Sequence, residues 1–427
     1  MAESQRVDVL ILGAGFAGLT AARRLAPRNR VVVVDRNGYQ TLRPKLPEAV
    51  GGTCACAARL PLTDALRGSH AELVIADVRG IDPEAHVVRT DAGELRYGRL
   101  IVALGSQPHV PAQVPGAAEF ALPLWDFDHA CDIRRRVTIL ARAASRAKTE
   151  GERRKLASVA VVGGGFVGVE VAGHLLDRLT ELARAFGLPA GDVQVYVLEQ
   201  ASRLLPGFQP VLGGAVGRNL AGRGIRLHLA TAVRAVTQDG VILADGSRLD
   251  AATVIWAGGV RAVRAIADLG APTAGDRILV RPDLRATAWP DVYAAGDAAA
   301  VAAPGGGVLP QSAQLAMQAG EAVAASVARD LAGLAPRAYR PHERGVALGL
   351  GARDAVANLH GVGLAAVPAR LLKDAALAHY LFGLGGSRLL GAYLAPVFLQ
   401  PLRGRVEIGN PEVDTQKTDP SPRLLAR

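Results

Sequence analysis

The stretch VVGGGFVGVEVAGHL (Val161–Leu175) repeats the design of an earlier stretch, LILGAGFAGLTAARRL (Leu10–Leu25). Each contains an apolar run, three glycines in the spacing GxGxxG, and a run with helical character. This turn joins a strand to a helix in dinucleotide-binding folds. Its glycines permit a tight turn, close approach of a pyrophosphate, and close packing of helix on strand. The repetition predicts two dinucleotide-binding units in one chain.

The first unit is complete as a strand, turn, helix and second strand. The run Val7–Leu12 predicts the first strand, and VVVVD predicts a second strand that ends at Asp35. The amino end of the helix offers unpaired N–H groups and its dipole to phosphates, and Asp35 is suited to accept hydrogen bonds from a ribose. The residues assigned to this nucleotide are Gly13, Gly15, Phe16, Ala17, Gly18, Asp35 and Arg36.

The second unit has a longer crossover. A strand over Val159–Val162 precedes the glycines, a helix runs from about Phe166 to Ala185, and a further strand ends at Glu199. A carboxylate at Glu199 accepts from a ribose 2′-hydroxyl and repels a 2′-phosphate, so it favours NADH over NADPH. The residues assigned to the second nucleotide are Gly163, Gly165, Phe166, Val167, Gly168, Glu199 and Gly258. FAD with NADH is the simplest pair for such a chain.

This organisation predicts an α/β fold with two Rossmann-like domains, in which the NAD(H)-binding domain interrupts the FAD-binding domain. We expect the FAD-binding domain over residues 1–115 and 275–335, and the NAD(H)-binding domain over 116–274. A C-terminal α+β region is expected over 336–408. The polar, proline-containing tail, 409–427, is expected to be disordered.

Composition narrows the classes of function. The net charge of +10 suggests anionic partners, but no basic run is interleaved with aromatics, which argues against nucleic-acid binding. Cys54, Cys56 and Cys131 form neither a disulfide framework nor a zinc site, and we interpret Cys54 and Cys56 as structural thiols. The histidines are dispersed, so no metal is expected.

The first strand leaves no room for a signal peptide and no apolar run reaches 18 residues, so we expect a cytoplasmic protein.

Five further segments carry a resemblance to a known family. They are DRNGYQTLRPKLPEAVGG (35–52), LRYGRLIVALGSQPHVPAQVPG (95–116), TVIWAGGVRA (253–262), WPDVYAAGDAAA (289–300) and LPQSAQLAMQAGEAVA (309–324). Together with the glycine turns they resemble the type II NADH dehydrogenases, which are single-chain, non-proton-pumping NADH:quinone oxidoreductases. The resemblance extends from about Val7 to Ala328. The tryptophan-containing and glutamine-containing segments are its most specific parts.

The resemblance implies roles for individual residues. Asp297 matches an aspartate that contacts the ribityl chain of the flavin, and Gly296 permits its close approach. Glu170 matches a glutamate near the nicotinamide and the flavin. Gln314 and Gln318, which share one helical face, match glutamines near the quinone. Further residues implied at the flavin are Lys45, Val78, Ala103, Gly105, Gln311, Ser312 and Ala313.

The implied activity is hydride transfer from NADH to FAD, followed by transfer of two electrons to a quinone or quinone-like acceptor. Two alternatives stay open. One is a tailoring oxidoreductase or monooxygenase that acts on a small aromatic substrate with the same cofactors. The other is a non-catalytic flavoprotein that senses NADH. The absence of cysteines after Cys131 argues against disulfide reductases and sulfide:quinone oxidoreductases, which need cysteines beside the flavin.

The C-terminal region departs from the family. Membrane-bound members end in amphipathic helices that are rich in aromatic and basic residues. Here an apolar stripe is interrupted by Gly391 and Pro396. Such a stripe favours a core or homodimer contact over peripheral contact with the inner face of the cell membrane. The stripe consists of Leu389, Leu390, Tyr393, Leu394, Val397 and Phe398.

Overall fold

A computed structural model describes residues 6–52, 55–342 and 344–399. Cys54 and the tail predicted to be disordered lie outside these residues. Residues 6–115 form strands β1 (Val7–Leu12), β2 (Val31–Asp35), β3 (Tyr39–Thr41), β4 (Arg59–Pro61), β5 (Glu72–Ile75), β6 (Val78–Asp82), β7 (Val87–Thr90), β8 (Gly93–Val102) and β9 (Ser106–Pro108), with helices α1 (Phe16–Leu25), α2 (Leu46–Val50) and α3 (Leu62–Leu66).

The following segment, 116–274, contains the second glycine turn. Its helices are α4 (Ala117–Phe120), α5 (Phe127–Ala144), α6 (Glu150–Leu156), α7 (Phe166–Phe186), α8 (Pro210–Gly222) and α9 (Arg264–Ala267). Its strands are β10 (Ala121–Pro123), β11 (Ser158–Val162), β12 (Gln194–Leu198), β13 (Arg226–His228), β14 (Val233–Thr237), β15 (Gly240–Leu243), β16 (Arg248–Asp250), β17 (Thr253–Trp256), β18 (Val260–Ala262) and β19 (Thr273–Ala274).

The last two segments contain fewer elements. Residues 275–335 form β20 (Arg277–Leu279), β21 (Val292–Ala294), β22 (Ala299–Ala300) and α10 (Ala313–Leu331). The described part of the C-terminal region forms β23 (Val346–Gly349), β24 (Ala355–Leu359), β25 (Val362–Ala365) and α11 (Ala366–Leu399). Helix α11 bends where Gly385 and Gly386 leave the helical conformation.

Two sheets organise the molecule, and they confirm the predicted α/β fold with two Rossmann-like units. The first has the order β5-β2-β1-β8-β7-β6, and β21 pairs with β8 in parallel although it lies almost 200 residues later in the chain. The second is parallel, with the order β10-β17-β11-β12-β13. The central strands of both sheets are buried on both faces, which explains their continuous runs of Val, Ile and Leu.

The apolar core lies on both sides of each sheet. Helices α1 and α10 pack together on one side of the first sheet, and α11 joins them there through Tyr380 and Leu381. The first part of the C-terminal stripe, Leu389 with Leu390 and Tyr393, packs into this core as well. The side chains of Val397 and Phe398 lie outside the described part. Among the described helices, none is long and apolar enough to cross a membrane.

A buried cluster of charges joins three segments of the chain. Glu48 on α2 lies 2.9 Å from the Nζ of Lys45, and 3.5 Å from both Lys373 and Arg370 on α11. Lys373 also lies 2.6 Å from Glu170 on α7. Burial alone would raise the pKa of Glu48, but the surrounding cations, with Lys373 foremost, lower it to about 2. The cluster therefore keeps Glu48 ionised within the protein.

The lowered pKa gives a testable dependence of stability on pH. The contribution of the Glu48 carboxylate is fully present above its unfolded pKa, near 4.5, and is lost as the pH falls toward about 2. We expect Glu48→Gln to lower the free energy of unfolding by ~3 kcal/mol at neutral pH, with a loss that shrinks below about pH 4.5. Denaturant unfolding at several pH values measures this.

The matched control is Asp268→Asn, which removes a carboxylate from the exposed pair with Arg264. It should change stability by less than about 1 kcal/mol, since solvent screens exposed pairs. A loss for Glu48→Gln that is small or independent of pH would contradict the ionic role of the cluster.

Candidate functional site

The first glycine turn is held by close backbone packing. Gly13 has φ +96°, and a Cβ at this position would lie 2.3 Å from the carbonyl oxygen of Ala103. A Cβ on Gly18 would lie 1.8 Å from the carbonyl oxygen of Gly13. Gly15 differs, because no atom lies within 4 Å of the place where its Cβ would be. The open space before the amino end of α1 fits the approach of a pyrophosphate.

Asp35 supports this turn from the end of β2. Its carboxylate accepts hydrogen bonds from the N–H of Ala14 at 2.7 Å and of Asn37 at 2.9 Å. Burial raises the pKa of Asp35, while these hydrogen bonds act in the opposite direction. Arg36 beside it is exposed. The carboxylate therefore lies directly beneath the turn, next to the space at Gly15.

The second part of this site comes from the later segment of the chain. Gly296 has φ +66°, and its Cβ would lie 3.1 Å from the Cβ of Ala17 on α1. Asp297 follows, and its carboxylate accepts from the Ser106 hydroxyl at 2.7 Å. Gln311 donates its amide N–H to the carbonyl oxygen of Asp297 at 3.5 Å. The fold thus brings the predicted segments around residues 15, 105, 297 and 311 together.

The amino end of α10 faces the same region. Ser312 caps this helix by accepting from the N–H of Leu315 at 3.2 Å, and Ala313 is its first residue. Val78 lies further away, at the start of β6, and packs against the apolar core of the first sheet. The assignment of Val78 to the flavin stays a prediction.

Arg43 and Trp125 were not predicted from the sequence. The guanidinium of Arg43 lies 3.7 Å from the centroid of the Trp125 ring and 3.4 Å from the Asp297 carboxylate. Its Nη2 also lies 3.7 Å from the Cβ position of Gly105. The pKa of Arg43 is lowered by burial, and the nearby carboxylate of Asp297 offsets this effect only in part. Arg43 lies in the segment TLRPK, where the resemblance implies a role for Lys45, and Trp125 lies outside the segments that carry the resemblance.

Lys45 has two acidic partners. Its Nζ lies 2.9 Å from Glu48 and 3.0 Å from Asp374 on α11. Burial acts to lower the pKa of Lys45, but Glu48 and then Asp374 raise it above the ordinary value. Lys45 therefore belongs to the buried charge cluster, and its role at the flavin stays a prediction.

The second glycine turn has the construction of the first. Gly163 has φ +110°, with its Cβ position 2.5 Å from the carbonyl oxygen of Ala257, and the Cβ position of Gly168 lies 1.8 Å from the oxygen of Gly163. Gly165 again faces open space, while a Cβ on Gly258 would lie 2.9 Å from the indole Nε1 of Trp256.

Helix α7 starts directly after this turn. Phe166 is its first residue, and the ring packs edge-on against Phe208 with centroids 4.3 Å apart. Val167 follows and is exposed.

Glu199 repeats the position of Asp35. Its carboxylate accepts from the N–H of Gly164 at 2.7 Å and from the N–H of Ala201 at 2.8 Å. The backbone N–H of Glu199 in turn donates to the carbonyl oxygen of His228 at 2.9 Å. The carboxylate is buried and fixed beside the open space at Gly165, where a ribose would lie if the unit held a dinucleotide as expected.

Glu170 is buried one turn into α7. Its Oε1 accepts from the Nζ of Lys373 at 2.6 Å and from the N–H of Gly349 at 2.8 Å. Both partners belong to the C-terminal region. The carboxylate is therefore bound by α11 and β23, and its proximity to a nicotinamide stays a prediction.

Gln314 and Gln318 lie on one face of α10, as their spacing predicts. The Gln318 amide donates to the carbonyl oxygen of His342 at 2.8 Å and accepts from the N–H of the same residue at 2.8 Å. Gln314 donates to that carbonyl oxygen at 3.3 Å. A primary amide has two N–H donors, so Gln318 retains one for a ligand. Its role at a quinone stays a prediction.

The described residues contain no group of three or more His, Cys, Asp or Glu side chains that could hold a metal ion. Cys131 is a free thiol, and burial raises its pKa above the ordinary value. Both observations concern the described residues alone, and the side chain of Cys56 is not among those described.

Comparisons with known proteins show the family to which the sequence is similar. The family described as pyridine nucleotide-disulphide oxidoreductase matches residues 7–320. A type II NADH:quinone oxidoreductase of Staphylococcus aureus is 30% identical over 393 residues, which cover 89% of this chain and 96% of that protein. The corresponding protein of Staphylococcus haemolyticus is 29% identical over 391 residues, with the same coverage of both chains.

Solved structures share the fold at lower identity. The NDH2 structure of Plasmodium falciparum in complex with NADH has a TM-score of 0.82 and 16% identity, and covers 94% of this chain and 99% of that chain. The sulfide:quinone oxidoreductase of Aquifex aeolicus has a TM-score of 0.74 and 18% identity, with coverage of 93% and 96%. At these identities the likeness concerns the fold alone.

The carboxylates beneath the two glycine turns, Asp35 and Glu199, give a paired prediction. Glu199→Ala should narrow the preference for NADH over NADPH by about 1.5–3 kcal/mol, because charge-assisted hydrogen bonds to a ribose are lost. Asp35→Ala, its counterpart in the first unit, should instead lower the amount of FAD retained after purification. Measurement of KM for both nucleotides and of FAD content separates the two variants. Equal use of NADH and NADPH by the wild-type protein would contradict the assignment of Glu199.

Proposed function

The chain belongs to the pyridine nucleotide-disulphide oxidoreductases and, within them, to the type II NADH:quinone oxidoreductases, and from this premise we propose how its residues perform the reaction. The protein is an FAD-dependent oxidoreductase that takes a hydride from NADH and delivers two electrons to a quinone. The observation that supports the proposal most is the repeated site. Two open glycine turns, each supported by a carboxylate that accepts from a backbone N–H of the turn, are suited to two nucleotides in one chain.

The first unit fits FAD. The space at Gly15 and the amino end of α1 would hold the pyrophosphate, and Asp35 would hold the adenosine ribose. Asp297, fixed by Ser106 and Arg43, would face the ribityl chain. FAD, when bound, supplies the group that accepts the hydride and passes the electrons on. The division into FAD-binding residues 1–115 and 275–335 follows from this assignment and is part of the proposal.

The second unit would hold NADH. Gly165 leaves space for the pyrophosphate, and the N–H groups at the amino end of α7 face it. Glu199 is already fixed by two backbone N–H groups, so its carboxylate is pre-organised to accept from the 2′-hydroxyl. A 2′-phosphate would meet a buried negative charge. We assign NAD(H) binding to residues 116–274 on this basis.

The acceptor side is assigned to α10. Gln314 and Gln318 lie on the helix that follows the second flavin segment, and both reach the backbone of His342. We propose that the second N–H of the Gln318 amide donates to a carbonyl oxygen of the quinone. The pairing with His342 fixes the orientation of the amide, so little rotational freedom would be lost on binding.

The C-terminal helix offers a surface for association. Val367, Leu371 and Phe382 on α11 are 64%, 64% and 56% exposed, and their spacing of four and eleven residues places them near one helical face. We propose that this exposed face, rather than the buried stripe around Leu389, makes peripheral contact with a membrane surface. The alternative occupant of the face is a second copy of the chain.

Vesicle binding tests the surface. Replacement of Val367, Leu371 and Phe382 together by serine should reduce co-sedimentation with lipid vesicles at least severalfold, because apolar area no longer enters the interface. The triple replacement Leu331→Ser, Leu334→Ser, Val308→Ser, at other exposed apolar positions, is the control. If the α11 variant keeps vesicle binding but changes from dimer to monomer in sedimentation velocity, the homodimer is the correct occupant.

Separate measurement of the two half-reactions tests the function. We expect NADH to reduce the bound flavin in the wild-type protein, and a quinone to reoxidise it. Gln318→Leu should leave the first half-reaction nearly unchanged and slow the second by roughly ten- to a hundredfold, about 1.4–2.8 kcal/mol for one hydrogen bond. Stopped-flow absorbance resolves the two steps.

Glu321→Leu, one turn further along α10 and exposed, is the matched control and should affect neither step. Gln318→Leu also removes the hydrogen bonds to His342. If these bonds are what the protein needs from Gln318, the variant should have a lower melting temperature, and both half-reactions should be impaired. Reoxidation at the wild-type rate by every tested quinone would refute the acceptor site. Failure of NADH to reduce the flavin would refute the proposed reaction.

A further inference from the structure

A cleft of about 510 Å³ lies on the NADH-binding unit, lined by residues that are assigned above neither to a nucleotide nor to the quinone. One wall is formed by β11, β12 and β13, from their first residues as far as Tyr196 and His228, and the other by the hairpin β15–β16. The second glycine turn and Glu199 follow the carboxyl ends of β11 and β12. The volume is within the range of small-molecule sites, roughly 300–1,000 Å³.

The lining of the cleft is cationic. Arg154 and Lys155 come from the end of α6, Arg226 from the edge strand β13, and Arg248 from β16, against the single carboxylate of Asp250. Three of these cations already have acidic partners. Arg226 makes no ion pair with any residue of the described chain, so its guanidinium is available to an anion. A planar guanidinium is suited to bidentate binding of phosphate.

Aromatic rings lie beside these cations. The Tyr196 ring is half-buried, with its centroid 5.9 Å from the imidazole of His228 and 5.7 Å from the Arg226 guanidinium. The Tyr196 hydroxyl makes no hydrogen bond with a described residue in this structure. A partly exposed ring next to the unpaired guanidinium of Arg226 is suited to a ligand that combines a flat ring with a negative charge.

We propose that this cleft is a second nucleotide site, which binds a nucleoside phosphate independently of the NADH site. Arg226 would bind the phosphate, with Lys155 and Arg248 adding positive potential, and the base would stack on Tyr196. The cleft lies along β12, and Glu199 follows the far end of this strand. None of the residues assigned to NADH lines the cleft. The two places are linked through His228, which lines the cleft and accepts from the N–H of Glu199 through its carbonyl oxygen. The proposal does not depend on the identity of the electron acceptor.

Titration of the FAD-loaded protein with AMP, with the heat of binding measured by isothermal calorimetry, tests the site. We expect Arg226→Glu to weaken AMP binding by about tenfold or more, and Tyr196→Leu by about fivefold or more. The matched control is Arg234→Glu, which reverses the charge of an exposed arginine on β14 outside the cleft and should have an effect below about twofold. Flavin absorbance and the KM for NADH should be unchanged in these variants, which shows that they fold.

Two further comparisons locate the binding. AMP should bind at least severalfold more tightly than inorganic phosphate, and Glu199→Gln should change the KM for NADH while leaving AMP affinity unchanged. The proposal is overturned if AMP does not bind, or if phosphate binds equally well. It is also overturned if AMP affinity falls in Glu199→Gln but not in Arg226→Glu, since AMP would then occupy the NADH site. If Arg234→Glu weakened AMP binding as much as Arg226→Glu does, the effect would be due to the net charge of the protein, and a defined site would be refuted.

Discussion

The ammonium group of Lys373 lies between two buried carboxylates, Glu48 and Glu170, and these belong to different segments of the chain. A buried carboxylate without a counter-charge is strongly unfavourable. If α11 were displaced, Glu170 would lose its ion pair with Lys373, and Glu48 would keep only its pair with Lys45. The C-terminal helix is therefore bound electrostatically to α2 on one side and to α7 on the other. This contact adds to the direct packing of α2 on α7 in joining the two glycine-turn units. Their relative position matters for the reaction, because a hydride donor and its acceptor must meet within a few ångströms.

The two glycine turns illustrate how one local solution serves two sites. In each unit, the first glycine of the turn lies against a carbonyl oxygen of a neighbouring strand end, Ala103 or Ala257. In each, a carboxylate at the end of the second strand accepts from the N–H of the next residue in the turn. The carboxylate therefore has a structural function before any nucleotide arrives. It holds the turn beside the open space at Gly15 or Gly165, to which we assign the pyrophosphate, so the proposed site is formed in advance.

The sequence predicted those features that depend on local spacing. These features include both glycine turns, the acid that ends each second strand, and the shared helical face of Gln314 and Gln318. They follow from periods of two or 3.6 residues and from the chemistry of glycine. Arg43, Trp125 and Lys373 could not be found in this way. Lys373 reaches Glu170 across 203 positions of sequence, and Arg43 reaches Asp297 across 254. Which of many basic residues meets a given acid is decided by tertiary packing, and a single sequence contains no record of that packing.

The pairing of β21 with β8 bears on the order in which the chain is completed during synthesis. Strand β21 and Asp297 leave the ribosome after the whole inserted unit. At the usual 5–20 residues per second, the gap between Asp35 and Asp297 is on the order of tens of seconds. The inserted unit contains every strand of its parallel sheet, so that sheet is fully synthesised in this interval. Until residues 292–294 are synthesised, the first unit has an unpaired edge on β8 that is exposed to chaperones and to neighbouring chains. The earliest nucleotide site in the sequence is thus the last to be completed.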